Sequence, residues 1–393
     1  MKILWVKSDF LHPTTRGGQI RTLEMLKRLH RRHEIHYVAL DLDNQPGGAA
    51  RSSEYCTKAY PVPHHAPPHT APRFWLQVTQ SMFSELPLAV SRYRSAGMQR
   101  QVAELIKFED LDAVVCDFLF PAPNIPDLEN AVLFQHNVEA QIWKRRLEHA
   151  SFLPVRWYFR SQYEKMRRYE GQVCGAVKRV IAVSQEDAQT MRSEYGVRCA
   201  HAVPTGVDLE YFTPPGDVTR ARNLVFVGSM DWDPNVDGMQ WFVREVLPRI
   251  RMRRPDCGLT IAGRHPHSAI RRLAAEYPNI RVTGTVADVR PFLWESAVSI
   301  VPLQIAGGTR LKIFEAMAAQ VPVVSTTIGA EGLEVRNGEP IRIADSPEDF
   351  ADHCLELLAD PAACNNIASA AWEMVATRYS WEAVSVAFER VLM

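Results

Sequence analysis

Residues 305–315 (IAGGTRLKIFE) constrain the fold of this chain more than any other stretch, because buried strands are predicted on both sides of them. The apolar run 297–303 precedes the stretch and the β-branched run 321–326 follows it, and both patterns are typical of buried strands. Between them, the composition of residues 309–319 predicts a helix with one apolar face. A strand, a glycine turn, a helix and a second strand in this order predict an α/β fold.

The start of this predicted helix has the features of a phosphate-binding site. Gly307 and Gly308 let the backbone approach a ligand closely, and Thr309 suits the N-cap position. The N–H groups of the first helical turn then favour an anion, and Arg310 and Lys312 add two positive charges there. These residue types therefore predict a site for a phosphate group.

Glu315 lies three residues after Lys312, on the same side of the predicted helix. A carboxylate at this position suits the two hydroxyl groups of a ribose. The alternative is an ordinary helix start with a surface Lys–Glu pair. The coincidence of four features at one strand end favours the ligand site.

Length and composition exclude several classes of protein. The 393 residues suffice for two domains, and Lys+Arg and Asp+Glu both number 45, so no basic excess indicates nucleic acid. No apolar run has the length of a transmembrane helix, and residues 1–6 resemble a first strand rather than a signal peptide. Seven dispersed cysteines show no zinc spacing and suit a reducing compartment. We expect a cytoplasmic protein without a metal centre or a cofactor.

The first half of the chain predicts a parallel sheet. Strands are expected at 2–6 and 34–40, with a helix at 20–30 between them. Gly17 and Gly18 precede that helix and either line a ligand cleft or form a loop hinge. No G-x-G-x-x-G follows the first strand and no G-x-x-x-x-G-K-[ST] occurs, which counts against a nicotinamide dehydrogenase and a P-loop NTPase.

Two further predicted strands of this half, 113–116 and 131–135, end in polar residues. The carboxyl ends of parallel strands form the edge where open α/β sheets bind ligands. His136 directly follows the second of these strands and is itself followed by Asn137 and Glu139. His136 is therefore the leading candidate site residue of this half, although a single histidine is more often structural.

Two segments, 74–94 and 138–171, interleave aromatic and basic residues. Such segments either contact an acceptor molecule or a lipid surface, or pack as ordinary helices. For the first segment we weigh the two interpretations equally. In the second segment Glu148, Glu164 and Glu170 offset part of the positive charge, which favours a solvated helix pair, interrupted near Pro154. Peripheral contact with the inner face of a membrane remains open.

The second half restarts the strand pattern after residues 206–222, which are rich in Pro, Gly and Asp and predict a linker. We therefore expect a first domain over 1–205 and a second over 223–375. Predicted strand ends near Gly228, Arg264 and residue 284 would line one edge of a second parallel sheet. The motif D-x-D at 231–233 could hold a metal ion, but residues 233–235 precede a helix predicted over 236–251, so helix capping explains them.

Several motifs together resemble those of the GT-B glycosyltransferases of family 4. They are GVDLEYF (206–212), LVFVGSM (224–230), IAGR (261–264), VTGTV (282–286), GGTRLKIFEAMA (307–318) and YSWE (379–382). The resemblance covers most of the chain and is strongest over 206–335. It implies two Rossmann-like, doubly wound domains facing across a cleft, with a terminal helix at 376–393 packing back on the first domain.

The resemblance also implies an activity. It indicates a retaining, metal-independent transferase that moves a sugar from a nucleotide-sugar donor, with a UDP- or GDP-sugar expected, to a carbohydrate, a lipid-linked acceptor or another hydroxyl. The first domain would bind the acceptor, in a bacterial polysaccharide or glycolipid pathway. Two alternatives remain: a nucleotide-sugar 2-epimerase of the same fold, and a non-catalytic protein that binds a nucleotide sugar.

By the same resemblance, Glu315 would hold the ribose as the second Glu of an E-x7-E motif, and His136 would contact the donor sugar near the reacting centre. The residues expected around the rest of the donor are Arg264 and Val286 at the base, Gly17 and Gly18 near the phosphates or the acceptor, and Gly228 and Ser229 as a small-residue turn.

The chain departs from the family pattern at two places. The first Glu of E-x7-E falls at Gly307, and residues 228–238 lack the usual basic pair. Arg310 and Lys312 meet the same electrostatic need from another loop. Some family members carry GGTRLK at this position, which favours a variant site over an inactive one.

Overall fold

The computed structural model describes residues 1–14, 17–42, 47–65, 71–216, 220–305, 311–331, 333, 335 and 338–393. The chain divides into two compact units. Met1–Pro204 and Val384–Met393 form the first unit, and Thr205–Ala383 form the second. Among the described residues, no helix combines the length and the apolar composition needed to cross a bilayer.

The first unit contains a seven-stranded, fully parallel sheet of order β3-β2-β1-β4-β5-β6-β7. Its apolar runs are buried on both faces, as parallel strands require. The order reverses direction between β1 and β4, which creates a switch point at the carboxyl edge. The strands are β1 (Lys2–Lys7), β2 (Glu34–Leu42), β3 (Lys58–His64), β4 (Ala113–Asp117), β5 (Ala131–Phe134), β6 (Arg179–Ala182) and β7 (Ala200–Ala202).

The helices of the first unit connect these strands. The chain between β5 and β6 forms two helices in contact with each other, separated at residues 150–152, which confirms the interruption predicted near Pro154. Pro154 lies in the first turn of the second helix, which begins at Leu153. The helices are α1 (Gly17–Leu29), α2 (Pro72–Phe83), α3 (Leu88–Ser91), α4 (Ala96–Phe108), α5 (Glu139–His149), α6 (Leu153–Ala176) and α7 (Gln185–Tyr195).

The second unit contains a six-stranded parallel sheet of order β10-β9-β8-β11-β12-β13, with its switch point between β8 and β11. The strand–helix–strand unit predicted around residues 305–315 is present as β11, the helix α13 (Leu311–Ala318) and β12. The strands are β8 (Ala221–Val227), β9 (Leu259–Ala262), β10 (Ile280–Gly284), β11 (Ser296–Val301), β12 (Val323–Ser325) and β13 (Arg342–Ile343).

The helix predicted over 236–251 is present as one helical stretch, 233–253, which begins earlier than predicted and contains a π-helical turn. A π-helical turn, Phe242–Val246, separates α9 from α10, next to Pro248, which has no N–H for the helical ladder. A second π-helical turn, Val375–Tyr379, follows α15. The helices are α8 (Leu209–Phe212), α9 (Asp233–Trp241), α10 (Leu247–Arg253), α11 (Ser268–Glu276), α12 (Arg290–Trp294), α13 (Leu311–Ala318), α14 (Pro347–Ala359), α15 (Pro361–Met374) and α16 (Trp381–Leu392).

The described part of the predicted linker 206–222 is not a free connection. Val207 forms a β-bridge with Ser380, and the carbonyl of Phe212 accepts a hydrogen bond from Trp294 Nε1 at 2.8 Å. The described residues from 205 to 216 therefore belong to the second unit, because their backbone groups and the buried Phe212 have partners there.

The terminal helix is shorter than the predicted range 376–393, and its second half belongs to the first unit. The ring of Phe388 lies 5.5 Å from that of Trp5 and 4.9 Å from that of Phe134, measured between ring centroids. Glu389 forms a salt bridge with Arg32 at 2.8 Å. The end of the chain thus completes the core of the first unit, as the resemblance implied.

Candidate functional site

The first unit gathers three polar side chains at the switch point between β1 and β4. Lys7 ends β1, Asp117 ends β4, and His136 follows β5. Asp117 Oδ1 accepts hydrogen bonds from Lys7 Nζ at 2.8 Å and from His136 Nε2 at 2.7 Å. His136 therefore lies where the strand-end pattern predicted it, within a charged network.

Asp117 is the centre of this network and is fully buried. Its Oδ2 accepts from Trp5 Nε1 at 2.8 Å and from Thr22 Oγ1 at 2.7 Å. Burial alone would raise the pKa of this carboxyl, but the nearby Lys7 and His136 outweigh burial and lower the pKa below its usual range. Asp117 is thus a carboxylate whose oxygens are already bonded, which suits it to orient His136 rather than to bind a ligand.

His136 is a neutral hydrogen-bonding group. Burial lowers its pKa to about 4, against the attraction of Asp117 and with further lowering by Lys7 and Arg21. With Nε2 donating to Asp117, Nδ1 is left as the acceptor nitrogen. A Cβ built on Gly18 would lie 3.6 Å from this Nδ1, so Gly18 and His136 are neighbours.

Two phenylalanine rings hold His136 in place. The ring of Phe134 lies 4.7 Å from the imidazole and that of Phe118 lies 5.3 Å from it, measured between centroids. Phe118 directly follows Asp117 and has a φ of 80°, a left-handed backbone conformation that residues other than glycine rarely adopt. Strain of this kind often occurs at functional sites, because the surrounding structure must stabilise it.

Gly17 and Gly18 lie in the first turn of α1, not in a loop before it. Only Gly18 is close to His136, since a Cβ on Gly17 would have no neighbour within 4 Å. Arg21, one turn further along, is buried and donates to the carbonyls of Gln135 and Val203. Burial lowers the pKa of its guanidinium to about 9. The sequence analysis missed Arg21, although its spacing from Gly17 and Gly18 puts it on the same side of the helix start.

Glu170 is a second buried carboxyl near His136, and the expectation that it compensates surface charge is wrong. It accepts hydrogen bonds from the backbone N–H groups of Glu139 and Ala140, at 2.9 Å each, and also from Gln135 Nε2 and Tyr195 Oη. Burial raises the pKa of Glu170. Burial also raises the pKa of Glu139 to about 7, and the negative charge of Glu170 contributes to that increase. Glu170 thereby anchors the start of α5, which directly follows His136.

The second unit gathers residues from two strand-end turns and two helix starts at its own switch point. Lys312 Nζ donates to Asn235 Oδ1 at 2.6 Å, and Asn235 Nδ2 donates to the carbonyl of Ser229 at 2.7 Å. Arg264 Nε donates to Ser229 Oγ, also at 2.7 Å. The structure therefore brings together Ser229, Arg264 and Lys312, which the sequence analysis had selected separately.

Gly228 occupies the closest approach within this cluster. A Cβ there would lie 2.9 Å from Asn235 Nδ2 and 3.2 Å from Lys312 Nζ. The ammonium of Lys312 also lies 4.6 Å from the centroid of the Phe226 ring. A side chain at residue 228 would displace the groups that position Lys312, which explains the glycine.

Asn235 is the residue of this site that sequence reasoning missed, and the capping explanation for residues 233–235 is wrong. Helix α9 already begins at Asp233, and its N-cap, Trp232, makes no side-chain capping bond. Asn235 is only 2% exposed, on the same face as the buried Met239 and Phe242. A polar residue at helical spacing from apolar ones was the signal that could have identified it.

Glu315 lies one turn after Lys312 on α13 and is half-buried. Burial raises the pKa of its carboxyl to about 7, against the lowering effect of Lys312. The other residues predicted at the start of this helix, Gly307, Gly308, Thr309 and Arg310, lie outside the described residues. Val286 follows β10, which is separated from β8 by β9 in the same sheet.

Comparison with known proteins identifies the families that the chain matches. Residues 15–211 match the family described as Glycosyltransferase Family 4, and residues 221–360 match the family described as Glycosyl transferases group 1. A protein of Klebsiella pneumoniae, described as an uncharacterized 44.6 kDa protein in the cps region, is 22% identical over an alignment of 393 positions that covers 96% of each chain.

Two solved structures resemble this one over its whole length. Sucrose-phosphate synthase from Thermosynechococcus elongatus has a TM-score of 0.68 at 17% identity and covers 100% of this chain and 98% of its own. HepE of Anabaena, in complex with UDP-glucose, has a TM-score of 0.61 at 14% identity, with 100% and 99% covered. At these identities the similarity establishes the fold, which is GT-B.

Proposed function

The chain belongs to glycosyltransferase family 4 and is a glycosyltransferase, and we propose that it transfers a sugar from a nucleoside-diphosphate sugar to an acceptor hydroxyl with retention of configuration. The donor is a UDP- or GDP-sugar. The acceptor is a carbohydrate or a lipid-linked saccharide. The binding of UDP-glucose by HepE, a protein of the same fold, supports a nucleotide-sugar donor.

The observation that carries this proposal is the position of Lys312. Its ammonium is held by the amide oxygen of Asn235 at the switch point of the second sheet, next to the glycine turn after β8. The carboxyl edge at a switch point is where open α/β sheets bind ligands. The amide orients the ammonium without cancelling its charge, so Lys312 is suited to contact the diphosphate.

The chemical demand at this position is the negative charge that develops on the leaving nucleoside diphosphate. Lys312 and the start of α13 would stabilise that charge as the glycosidic bond breaks. Arg310, two residues earlier in the sequence, would chelate phosphate oxygens with its planar guanidinium. Loss of one such group should lower the transfer rate by roughly two to three orders of magnitude.

The other candidate residues take the remaining parts of the donor. Glu315 would accept hydrogen bonds from the ribose hydroxyls, and Arg264 and Val286 would face the base. The backbone of Gly228 and Ser229 would pass close to the phosphates. In the first unit, His136 would accept a hydrogen bond from the donor sugar through Nδ1, and Gly18 leaves room for it.

The configuration of the anomeric carbon is retained because the acceptor oxygen attacks it from the same face as the leaving group. The acceptor oxygen forms the new bond to the anomeric carbon while the bond to the diphosphate breaks. The acceptor proton passes to an oxygen of the departing diphosphate, so no carboxylate nucleophile is needed. Lys312 and Arg310 would hold that diphosphate in place during the exchange.

The test is a thermal-shift panel with UDP, GDP, dTDP and ADP on the wild type and on Lys312→Ala. A nucleotide at a hundred times its Kd should stabilise the wild type by about 2.7 kcal/mol. Stabilisation of the wild type by one nucleotide, with its loss in Lys312→Ala, would identify the donor base and the phosphate contact. Arg272→Ala, at an exposed residue of α11, is the matched control that should keep the response.

Transfer itself is then measured with the corresponding nucleotide sugar. Arg310→Ala and Lys312→Ala should remain folded and lose transfer, while Arg272→Ala retains it. Wild-type rates in both of the first two variants would overturn the assignment. Product analysis without an acceptor would reveal an epimerised nucleotide sugar if the chain were a 2-epimerase.

A further inference from the structure

Two helices of the first unit expose an unusual number of large apolar side chains. These side chains are between 57% and 93% exposed, whereas the rest of the described surface shows such residues mostly one at a time. We call them the apolar surface of α2 and α6: Trp75, Leu76, Phe83, Phe152, Leu153 and Trp157.

The start of α6 extends beyond the core that anchors the rest of the helix. Every residue from 151 to 157 is exposed. From Tyr158 onward the helix turns aromatic residues inward, and Tyr158, Phe159 and Tyr163 pack against the core of the first unit. The aromatic residues of segment 138–171 therefore divide into an anchoring set and a projecting set, a division that the sequence left open.

Helix α2 presents its apolar residues on one face. The exposed residues Trp75, Leu76 and Phe83 share this face with Thr79 and Gln80, at helical spacing. The opposite side is fixed to α6, because Lys165 Nζ donates to the carbonyls of Ser81 at 2.6 Å and Met82 at 3.1 Å. The two exposed apolar groups thus lie on neighbouring helices that are tied together.

The charge around this surface is mainly positive, although the exposed Glu85, Glu148 and Glu164 also lie in these segments. Residues 144–160 contain five basic residues, all exposed, and Glu148 as the single acidic one. Helix α2 contains no acidic residue at all. Arg160 also pairs with Glu164 at 3.1 Å, which reduces its share of the charge. The other four basic residues are Lys144, Arg145, Arg146 and Arg156.

We propose that this surface docks the protein on an anionic lipid bilayer. Leu153 and Trp157 would enter the boundary between headgroups and acyl chains, while Arg156 and the end of α5 contact the headgroup phosphates. Aromatic and aliphatic side chains beside clustered basic ones are what an interfacial helix requires, since burial and electrostatic attraction add. The docking does not depend on the identity of the donor, so its test is independent of the proposed reaction.

The experiment is sedimentation with vesicles made of equal parts phosphatidylcholine and phosphatidylglycerol, and with vesicles of phosphatidylcholine alone. The wild type should bind the anionic vesicles, and added salt should weaken that binding. The double variant Leu153→Glu/Trp157→Glu should bind at least roughly tenfold less, because it replaces inserted apolar groups by charges that the phosphates repel. Arg156→Ala should lose roughly fivefold, for one positive charge near the surface.

Met252→Glu is the matched control. Met252 is 77% exposed, as Leu153 is, but it lies on α10 of the second unit. Its substitution should leave vesicle binding unchanged. All four altered residues are exposed, so circular dichroism should show the wild-type fold in every variant.

Three outcomes would overturn the proposal. The first is a wild type that binds neither kind of vesicle. The second is binding that Leu153→Glu/Trp157→Glu and Met252→Glu reduce equally. The third is a lipid-free dimer of the wild type, seen by light scattering, that becomes monomeric in the double variant, which would assign the surface to a second copy of the chain.

Discussion

Lys312 Nζ lies 2.6 Å from Asn235 Oδ1, although the two residues are 77 positions apart in the chain. Asn235 also donates to the carbonyl of Ser229, so one buried amide joins the turn after β8 to the helix after β11. Residues 228–238 of this chain lack the basic pair expected from the family resemblance. A positive charge nevertheless lies next to that turn. The charge comes from α13, and Asn235 sets its position.

Asn235→Ala should weaken nucleoside-diphosphate binding roughly tenfold, because a lost hydrogen bond to a charged group is worth about 1.4 kcal/mol or more. Asn235→Asp keeps an oxygen acceptor but sets a negative charge against the ammonium, so it should weaken binding further. Isothermal titration calorimetry of the three proteins measures both effects. Equal affinities in all three would show that Asn235 does not position Lys312.

Gly228→Ala should displace Lys312, since its methyl group would lie 3.2 Å from Nζ and 2.9 Å from Asn235 Nδ2. These side-chain ends must shift by a few tenths of an ångström, so transfer should fall, but by less than the roughly hundredfold that a 1 Å misplacement costs. The control is Gly175→Ala on α6, where a Cβ meets no atom within 4 Å. That variant should be as active as the wild type and more stable by about 0.5–1 kcal/mol. Full activity in Gly228→Ala would remove the reason given for this glycine.

The pKa of about 7 at Glu315 predicts a pH dependence of stability. The folded state holds a proton that the unfolded state has released above the ordinary pKa of glutamate, 4.5. The resulting stabilisation is complete below that pKa and is lost as pH rises through about 7. Urea unfolding of wild type and Glu315→Gln should therefore diverge between these values, with the wild type losing stability relative to the variant. Parallel curves would contradict the raised pKa.

Nucleotide binding should respond to the same carboxyl with the opposite sign. The ribose hydroxyls donate to the ionised form, so wild-type affinity for the nucleoside diphosphate should increase as pH rises through about 7. Glu315→Gln should bind more weakly and without this increase. The titration is repeated with the corresponding 2′,3′-dideoxy nucleotide, which lacks the donors. An identical pH profile for that nucleotide would refute the ribose contact.

His136 should remain neutral well below the ordinary histidine range, because burial lowers its pKa to about 4. The folded state then binds fewer protons than the unfolded chain, so this group contributes stability above about pH 6.5 that is lost as pH falls towards 4. The NMR shift of its Cε1 proton, assigned by comparison with His136→Gln, reports the titration. A midpoint at the ordinary value would contradict the described network.

Asp117→Asn tests whether that carboxylate orients the imidazole. An asparagine can no longer accept from all of Lys7, Trp5, Thr22 and His136, and it removes the charge that raises the pKa of His136. The variant should therefore lower that pKa further and reduce transfer mainly through kcat. Restored activity in Asp117→Glu would support an orienting role. An unchanged His136 signal in Asp117→Asn would indicate a merely structural role.

Local patterns predicted most of the secondary structure correctly, because each depends on neighbours in the chain. The alternation of apolar runs and helices around residues 305–315 predicted β11, α13 and β12, and strand-end reasoning placed His136 at a sheet edge. The errors arose where a distant partner decides. Asn235 looked like a capping residue because its partner, Lys312, lies on another helix, and Glu170 looked like a surface charge because its donors come from α5 and α7.

The sequence by itself determined the fold class, the order of strands and helices, and the family, since apolar periodicity and short motifs are properties of contiguous residues. Tertiary structure alone decided which polar groups meet and which aromatic residues remain exposed. Parallel strands bring the ends of distant segments to one edge, so Asp117 reaches His136 and Asn235 reaches Lys312 only after the sheets have formed. Burial then sets the protonation of Glu315 and His136, because it removes the water that would otherwise keep their ordinary pKa values.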